Sequence, residues 1–391
     1  MPILPQPSPY YMSSNFSYWE LSSFLSGYDV MIIGSGLVGL SAALHLKQSN
    51  SLLKIGVLEA GFLPSGASTK NASFACFASV SEALDELETC TEADLVRIIE
   101  MRWNGLLKLR KNLGDKAIDF VQSGGYDLFN DEQNEHAEYC ISQISYFNNI
   151  TKEITGIPDN FSVAHYKIAQ FGLQNIGHII QNKSEGQIDT GKMMQTLIGK
   201  VQSLGVHIFN NCAVKEIVEE ANGLLIKTAQ GNFTSRKVIV ATNAFSKQLI
   251  PELNVTPGRG QVLITEPIKN LKIYGAFHYD NGYYYFRNIN GRILLGGGRN
   301  LDFKAEETTE TGLTNLVQDS LEKLLKEVIL PGKKTKIEHR WSGVMAFGQE
   351  LKPIIKQIKP NLFCAVRCNG MGIAMESLVG EEVADLALCR L

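Results

Sequence analysis

Gly34, Gly36 and Gly39 fall within DVMIIGSGLVGLSAALHL, residues 29–46, at the spacing G-x-G-x-x-G. The chemistry this spacing serves is the holding of a diphosphate. Gly34 permits a tight turn, Gly36 lets a phosphate approach a backbone that has no Cβ, and Gly39 lets a helix pack closely on a strand. The N–H groups that follow, at Leu37 and Val38, stand at the positive end of a helix dipole, which favours an anion. By itself the pattern also fits any tight strand-to-helix turn. Its context adds Glu59, about 20 residues past Gly39, where an acid meets a ribose hydroxyl. Glu59 closes a second apolar run, KIGVL at 54–58, and Ala60 follows it. Together these features point to dinucleotide binding.

The loop at 66–73 is rich in small and hydroxyl residues. Such a loop can lie along a flavin and its phosphates, and its composition also fits a plain polar loop. A second glycine motif for a nicotinamide is missing. The run CNGMGIA at 368–374 has no third glycine in register. Reduction by a substrate is therefore expected, rather than reduction by a nicotinamide.

The elements that must hold these residues are legible in outline. Residues 30–33 read as a buried parallel strand, and 40–46 carry helical spacing. Residues 93–113 read as a helix. Residues 311–330 read as an amphipathic helix whose Leu313, Leu316, Val317, Leu321, Leu324, Leu325 and Val328 belong to a core, stopped by Pro331-Gly332. Asn290-Gly291 between two strand-like runs is a hairpin signal. The 391 residues suffice for two domains. A net charge of −3 with no basic block gives no sign of a nucleic-acid partner, and none is expected. The seven cysteines form no paired C-x-x-C set, so no metal site is expected, and their odd number fits reduced thiols in a cytoplasmic protein. Residues 1–26 read as a leader without the basic start or apolar run of a secretory signal, and no run is long enough to span a membrane.

Several segments, in order, resemble the D-amino-acid oxidase superfamily of FAD enzymes, closest to its gamma-glutamylputrescine oxidase and glycine oxidase-like branch. G-A-S-x-K-N at 66–71 is similar to the family's G-A-S-x-R-N. KVIVATNAF at 237–245, PGRGQVLITEP at 257–267, RWSGVMAF at 340–347 and the closing segments at 282–299 and 363–380 match further family motifs. The resemblance covers most of 16–388. It implies an α/β fold: a Rossmann-like FAD-binding domain (27–90, 186–250 and 340–391) interrupted by an α+β substrate domain with an antiparallel sheet (91–185 and 251–339). It implies FAD held by Ser68, Lys70, Asn71 and Ala72, by Val214 near the adenine, by Ala241, Thr242 and Asn243, and by Asn369, Gly370, Met371, Gly372 and Ile373. This last group opens a helix aimed at the flavin ring, where backbone donors stabilise the reduced, anionic flavin. Parts of the superfamily attach the flavin through Cys or His, and with no Cys between Cys212 and Cys364 the FAD is expected to be non-covalent. Two departures stand out. Lys70 replaces an Arg and loses its planar fork, and Met371 replaces a His donor.

On the substrate side the resemblance implies oxidation of an amine to an imine, with O2 or another acceptor taking the electrons. Where amino-acid oxidases place a carboxylate-binding Arg, this chain has Met345, either a sign of a primary amine on a long tail, such as a gamma-glutamylated polyamine, or a core filler. Tyr283 and Tyr285 share one strand face, with a place over the flavin or in the core. Arg287 is a candidate for a distal carboxylate or a solvated side chain, and Gln261 is a possible polar contact. The rival readings are an oxidase of N-methyl or secondary amino acids, and a flavoprotein subunit that relays electrons to a partner.

Overall fold

The computed structural model describes residues 16–389. Most of the expected leader lies outside these residues. Its end forms one helical turn at Tyr18–Glu20, where Ser17 and Glu20 cap each other, continued as a wider turn at Leu21–Leu25.

Two large sheets carry the rest. The first has Tyr28–Ile33 at its centre, parallel to Ile55–Leu58 on one side and to Asn232–Val240 on the other. His207–Phe209 and Leu362–Val366 extend it in parallel, and Ile354–Lys359 closes one edge antiparallel. Val30, Met31 and Ile32 are fully buried, as a parallel strand covered on both faces requires. One face packs under the helices Leu37–Ser49, Glu92–Leu113, Thr190–Ser203 and Gly372–Leu388. The other joins the hairpin Val214–Glu220/Gly223–Thr228 in a separate core.

The second sheet runs Ile337–Phe347, Thr256–Thr265, Arg292–Gly297, Tyr284–Ile289, Ala276–Tyr279, Gly125–Asn130, Ile176–Asn182, Phe161–Val163. It is antiparallel except where Ala276–Tyr279 meets Gly125–Asn130. On its outer face Phe277 and Phe286 stack with centroids 4.6 Å apart, under the helix Asn315–Leu324. The hairpin at Asn290-Gly291 forms with both residues at positive φ (48° and 71°) and Ile289 paired to Arg292, the backbone that a two-residue turn of this type demands.

Three expectations about elements meet differences. The helix expected at 311–330 begins only at Asn315 and widens into a π turn at Leu325–Ile329. Leu313 precedes it and Leu316 lies on its solvent side; both are exposed, so neither joins the core. The boundary expected at 340 falls inside Ile337–Phe347, which pairs with the second sheet along its length. The helix Glu92–Leu113, expected with the substrate domain, buries Leu95, Ile98, Leu106 and Leu109 in the core beneath the first sheet's helices. Among the described residues no helix is long and apolar enough to cross a membrane.

Candidate active site

The glycine turn has the predicted form. Gly34 adopts φ +107°, and a Cβ there would stand 2.6 Å from the Ala241 carbonyl oxygen. A Cβ at Gly39 would collide with the Gly34 carbonyl, so helix and strand meet at a distance only glycine permits. Gly36 precedes the helix Leu37–Ser49 with extended backbone and no side-chain cap. Glu59 is buried just past its strand. One carboxylate oxygen accepts from the Ser35 N–H (3.1 Å) and Oγ (2.6 Å), the other from the Gly61 N–H (2.9 Å) and Ser65 Oγ (3.2 Å). Glu59 thus fixes the glycine turn against the second strand. Ala60 is exposed beside it, and Val214 opens the strand that begins the nearby hairpin.

From Leu37, a cavity of about 400 Å3 runs between the two sheets. Its first wall is the loop after Ile55–Leu58. Ser68 Oγ accepts from the Leu37 N–H at 3.0 Å, engaging one of the donors that a helix start leaves over. Asn71 braces the loop: its amide donates to the Ala67 and Ser68 carbonyls, and its oxygen accepts from the Ser73 N–H and Thr190 Oγ1. Lys70 and Ala72 also line the cavity. The Lys70 carbonyl accepts from Trp341 Nε1 at 3.0 Å, and its side chain lies so close to Gly343 that a Cβ there would be 2.9 Å from Lys70 Cβ.

The opposite wall is the start of Gly372–Leu388. Asn369, Gly370, Met371, Gly372 and Ile373 line the cavity. Met371 is the N-cap residue and supplies no side-chain cap, so the first-turn donors open on the cavity. Asn369, at φ +47°, ties this turn to 348–351 by accepting from the Gly348 N–H and donating to the Glu350 and Leu351 carbonyls. Asn243 lines the cavity and accepts from the Arg367 N–H. Next to it Thr242 Oγ1 is buried with no hydrogen-bond partner among the described residues. The cavity meets the glycine turn at Leu37, while Gly34, Gly36, Gly39, Ala241 and Thr242 lie behind its lining. Two helix starts on one cavity, with the glycine turn and an unpartnered hydroxyl behind them, fit a flavin dinucleotide. Gly34, Gly36, Gly39, Val38, Ala241 and Thr242 would stand at its phosphates and Gly372 with its neighbours at its ring.

The third wall is the inner face of the second sheet. His278, Tyr285, Gly296, Val262 and Trp341 lie opposite one another across five strands, and paired residues share a face. Gly260 and Gly343 pair beside them, and Met345 lies two residues further along the last strand. Tyr285 faces the cavity, edge-on to Phe74, and burial pushes its hydroxyl up to about 12. Tyr283 precedes the strand, at the rim against Phe303. Tyr284 points to the other face and its hydroxyl meets Ser320 at 2.8 Å.

Gln261 and Arg287 do not line the cavity. Gln261 alternates with Gly260 and Val262 and so points outward. It is 1% exposed, donating to Glu306 and Thr314 and accepting from the Thr314 N–H and Gln318. Arg287 is buried past the cavity's edge, where Nη1 donates to the Ser73 and Ile188 carbonyls at 2.9 and 2.7 Å. Burial pulls it down to about 10. It is buried rather than solvated, and its Nε and Nη1 donors are taken by backbone carbonyls. Both residues make structural contacts here.

Sequence reasoning missed four features. The helix Val80–Leu87 turns Glu82, Asp85 and Glu86 to the cavity. His278 is buried between Glu82 (Nδ1, 3.5 Å) and Glu185 (Nε2, 3.3 Å). Burial pulls its imidazole down, yet the two acids prevail and its pKa lies well above the ordinary histidine value. Glu376 reaches back to Ser68 from the final helix, and burial pushes its carboxyl up to about 7. Arg299 enters the cavity with its guanidinium over the Phe347 ring. Only Glu376 left a trace in the sequence, as a lone acid among Ile373, Ala374, Met375 and Ser377. The others depend on chain segments distant in sequence.

The family model described as FAD dependent oxidoreductase (DAO) matches residues 29–386. The chain therefore belongs to the DAO family of FAD-dependent oxidoreductases. It is similar to gamma-glutamylputrescine oxidoreductase of Escherichia coli (strain K12), 26% identical over 408 residues that cover 97% of this chain and 88% of the relative. In fold it resembles glycine oxidase from Geobacillus kaustophilus, with a TM-score of 0.75 at 18% identity over 93% and 95% of the two chains. It also resembles L-proline dehydrogenase from P. horikoshii, with a TM-score of 0.73 at 20% identity over 93% and 94%. The protein is an FAD-dependent amine or amino-acid oxidoreductase.

Proposed function

We propose that the protein oxidises an amine at the carbon beside nitrogen, and that its substrate is a primary amine on a longer tail, such as a gamma-glutamylated polyamine. Bound FAD supplies the acceptor for the hydride. The resulting imine is hydrolysed by water to a carbonyl compound and ammonia, and O2, giving peroxide, or another acceptor reoxidises the flavin. In this reading the first sheet carries the cofactor and the second carries the substrate wall.

One observation carries the choice of amine: the cavity that joins the flavin cradle to Tyr285 and Met345 is bordered by Glu82, Asp85 and Glu86. An alkyl amine has a pKa near ~10 by analogy with lysine and arrives as a cation. Glu82 is paired with His278 and Glu86 with Arg102, so Asp85, whose partner is the neutral Asn281, is the acid left to attract it, while the aromatic and thioether wall favours the neutral form that can lose hydride. Met345 offers no fork for an α-carboxylate, and the likeness to gamma-glutamylputrescine oxidoreductase supports the same choice. The cavity cysteines, Cys76 and Cys368, are buried with thiols pushed well above the usual range, first of all by that burial. They are poor nucleophiles, which supports dissociable FAD.

Turnover of gamma-glutamylputrescine, sarcosine, proline and glycine, followed as carbonyl product with O2 or a dye as acceptor, tests the reading. The highest kcat/KM is expected for gamma-glutamylputrescine. A preference for sarcosine or proline would move the assignment to secondary amino acids, a reading that Arg299 on the cavity wall favours.

A further inference from the structure

Two arginines line the cavity. Arg102 is engaged: it donates to Glu86 through both terminal nitrogens (2.6 and 3.3 Å) and to the Phe77 carbonyl. The Arg299 guanidinium has no hydrogen bond or ion pair with any described residue. The carboxylate whose field it feels most, Glu306, is held by Arg259 (2.7 and 3.1 Å) and Gln261 (2.8 Å). A half-buried guanidinium carries its charge at every working pH and offers five N–H donors. Here they face a cavity wall with nothing to accept them.

The surroundings hold this side chain in place. Its Cζ lies 4.0 Å from the Phe347 ring centroid and 4.8 Å from that of Phe303, so the flat group is held against two aromatic rings. This packing needs Gly258, where a Cβ would stand 2.5 Å from Phe347 and 3.2 Å from Arg299 Nη1. Gly258 pairs with Met345, so Arg299 lies near the position where the resemblance placed a carboxylate-binding arginine. Gly298, at φ +77°, reverses the chain after Arg292–Gly297 and delivers Arg299 to this position.

We propose that Arg299 is the substrate-anchoring residue for a carboxylate: the amine oxidised here also bears a carboxylate, which this guanidinium binds through two N–H donors while the amine end faces the flavin. A planar fork on aromatic rings suits a carboxylate. The inference rests on the reading of the cavity as an amine-oxidising site and narrows its substrate class.

The test measures binding as well as turnover. FAD-loaded wild type, Arg299→Met, Arg299→Lys and Lys70→Met are titrated with acetate, propionate, glutarate and benzoate and with the matching amides. Perturbation of the flavin absorbance and the rise in melting temperature are read. Carboxylates, and not amides, are expected to bind wild type. Arg299→Met should bind them about 10- to 100-fold more weakly, and Arg299→Lys, which keeps the charge and loses the fork, should fall between. If Arg299→Met does not fold, the Lys variant decides: affinity equal to wild type overturns the proposal. Unchanged binding in Arg299→Met, loss confined to Lys70→Met, or equal binding of amides and carboxylates also overturns it. Failure of every amine to reduce the flavin, with carboxylates still bound through Arg299, would count against the proposed function and not against the anchor.

Discussion

Glu376 shows what single residues contribute beyond motif spacing. It sits one turn into the final helix, buried on the cavity wall, with Ser68 and Cys368 as neighbours. Burial favours its protonated form, raising its pKa from 4.5 to about 7. The folded state therefore binds more protons than the unfolded state between these values, so the residue's contribution to stability declines as pH rises through that window. The cofactor-free protein should lose stability relative to Glu376→Gln between pH 4.5 and about 7, by up to about 3 kcal/mol. Denaturant midpoints across pH would check this, and parallel curves for the two proteins would contradict it. The same scale shows where sequence reading succeeded and stopped. Gly34 and Gly39 were legible because a turn and a close approach restrict residue type. Gln261 and Arg287 were not, because residue type does not say which side of a strand a side chain takes, or which carbonyls it meets. Arg299 was invisible because its rings and its glycine gap come from three separate segments.

The final helix, Gly372–Leu388, is the element on which the site depends. Its start faces the cavity, and its flank packs on Leu37–Ser49, the helix of the glycine turn. Gly380 is the contact: a Cβ there would stand 2.6 Å from Ser41 Cβ and 2.7 Å from the Val38 carbonyl oxygen. Gly380→Ala should therefore push the two helices apart, costing about 1–3 kcal/mol as overpacked cores do, and weaken FAD retention with it. Equilibrium unfolding and FAD titration measure the two effects; an unchanged midpoint with unchanged FAD affinity would contradict this packing. In the second sheet, Leu321 is fully buried on the helix Asn315–Leu324. Leu321→Ala should cost about 2–5 kcal/mol, whereas Leu316→Ala, at an exposed position on the same helix, should stay within about 0.5 kcal/mol. Apolar spacing found this helix and overran its start, because Leu313 and Leu316 keep the period of a buried face while standing in solvent.

At the scale of the molecule, one sheet brings the glycine turn and the other brings the aromatic wall, and the cavity exists only where they meet. The parallel order of the first sheet was readable from apolar runs separated by helical spacing. The junction was not, since it is built by pairing that spans the whole chain, as when Ile337–Phe347 returns to Thr256–Thr265. FAD held by such a cleft, without a reactive thiolate beside it, should leave with the supernatant when the protein is precipitated by acid; colour retained in the pellet would contradict non-covalent binding.

The most direct test of the whole account is anaerobic addition of an amine to the purified, FAD-loaded protein, with the flavin absorbance followed in time. The account predicts that a carboxylate-bearing amine bleaches the oxidised flavin and yields one carbonyl product per flavin reduced. A flavin that stays oxidised with every amine offered, or a folded protein that takes up no FAD, would contradict it.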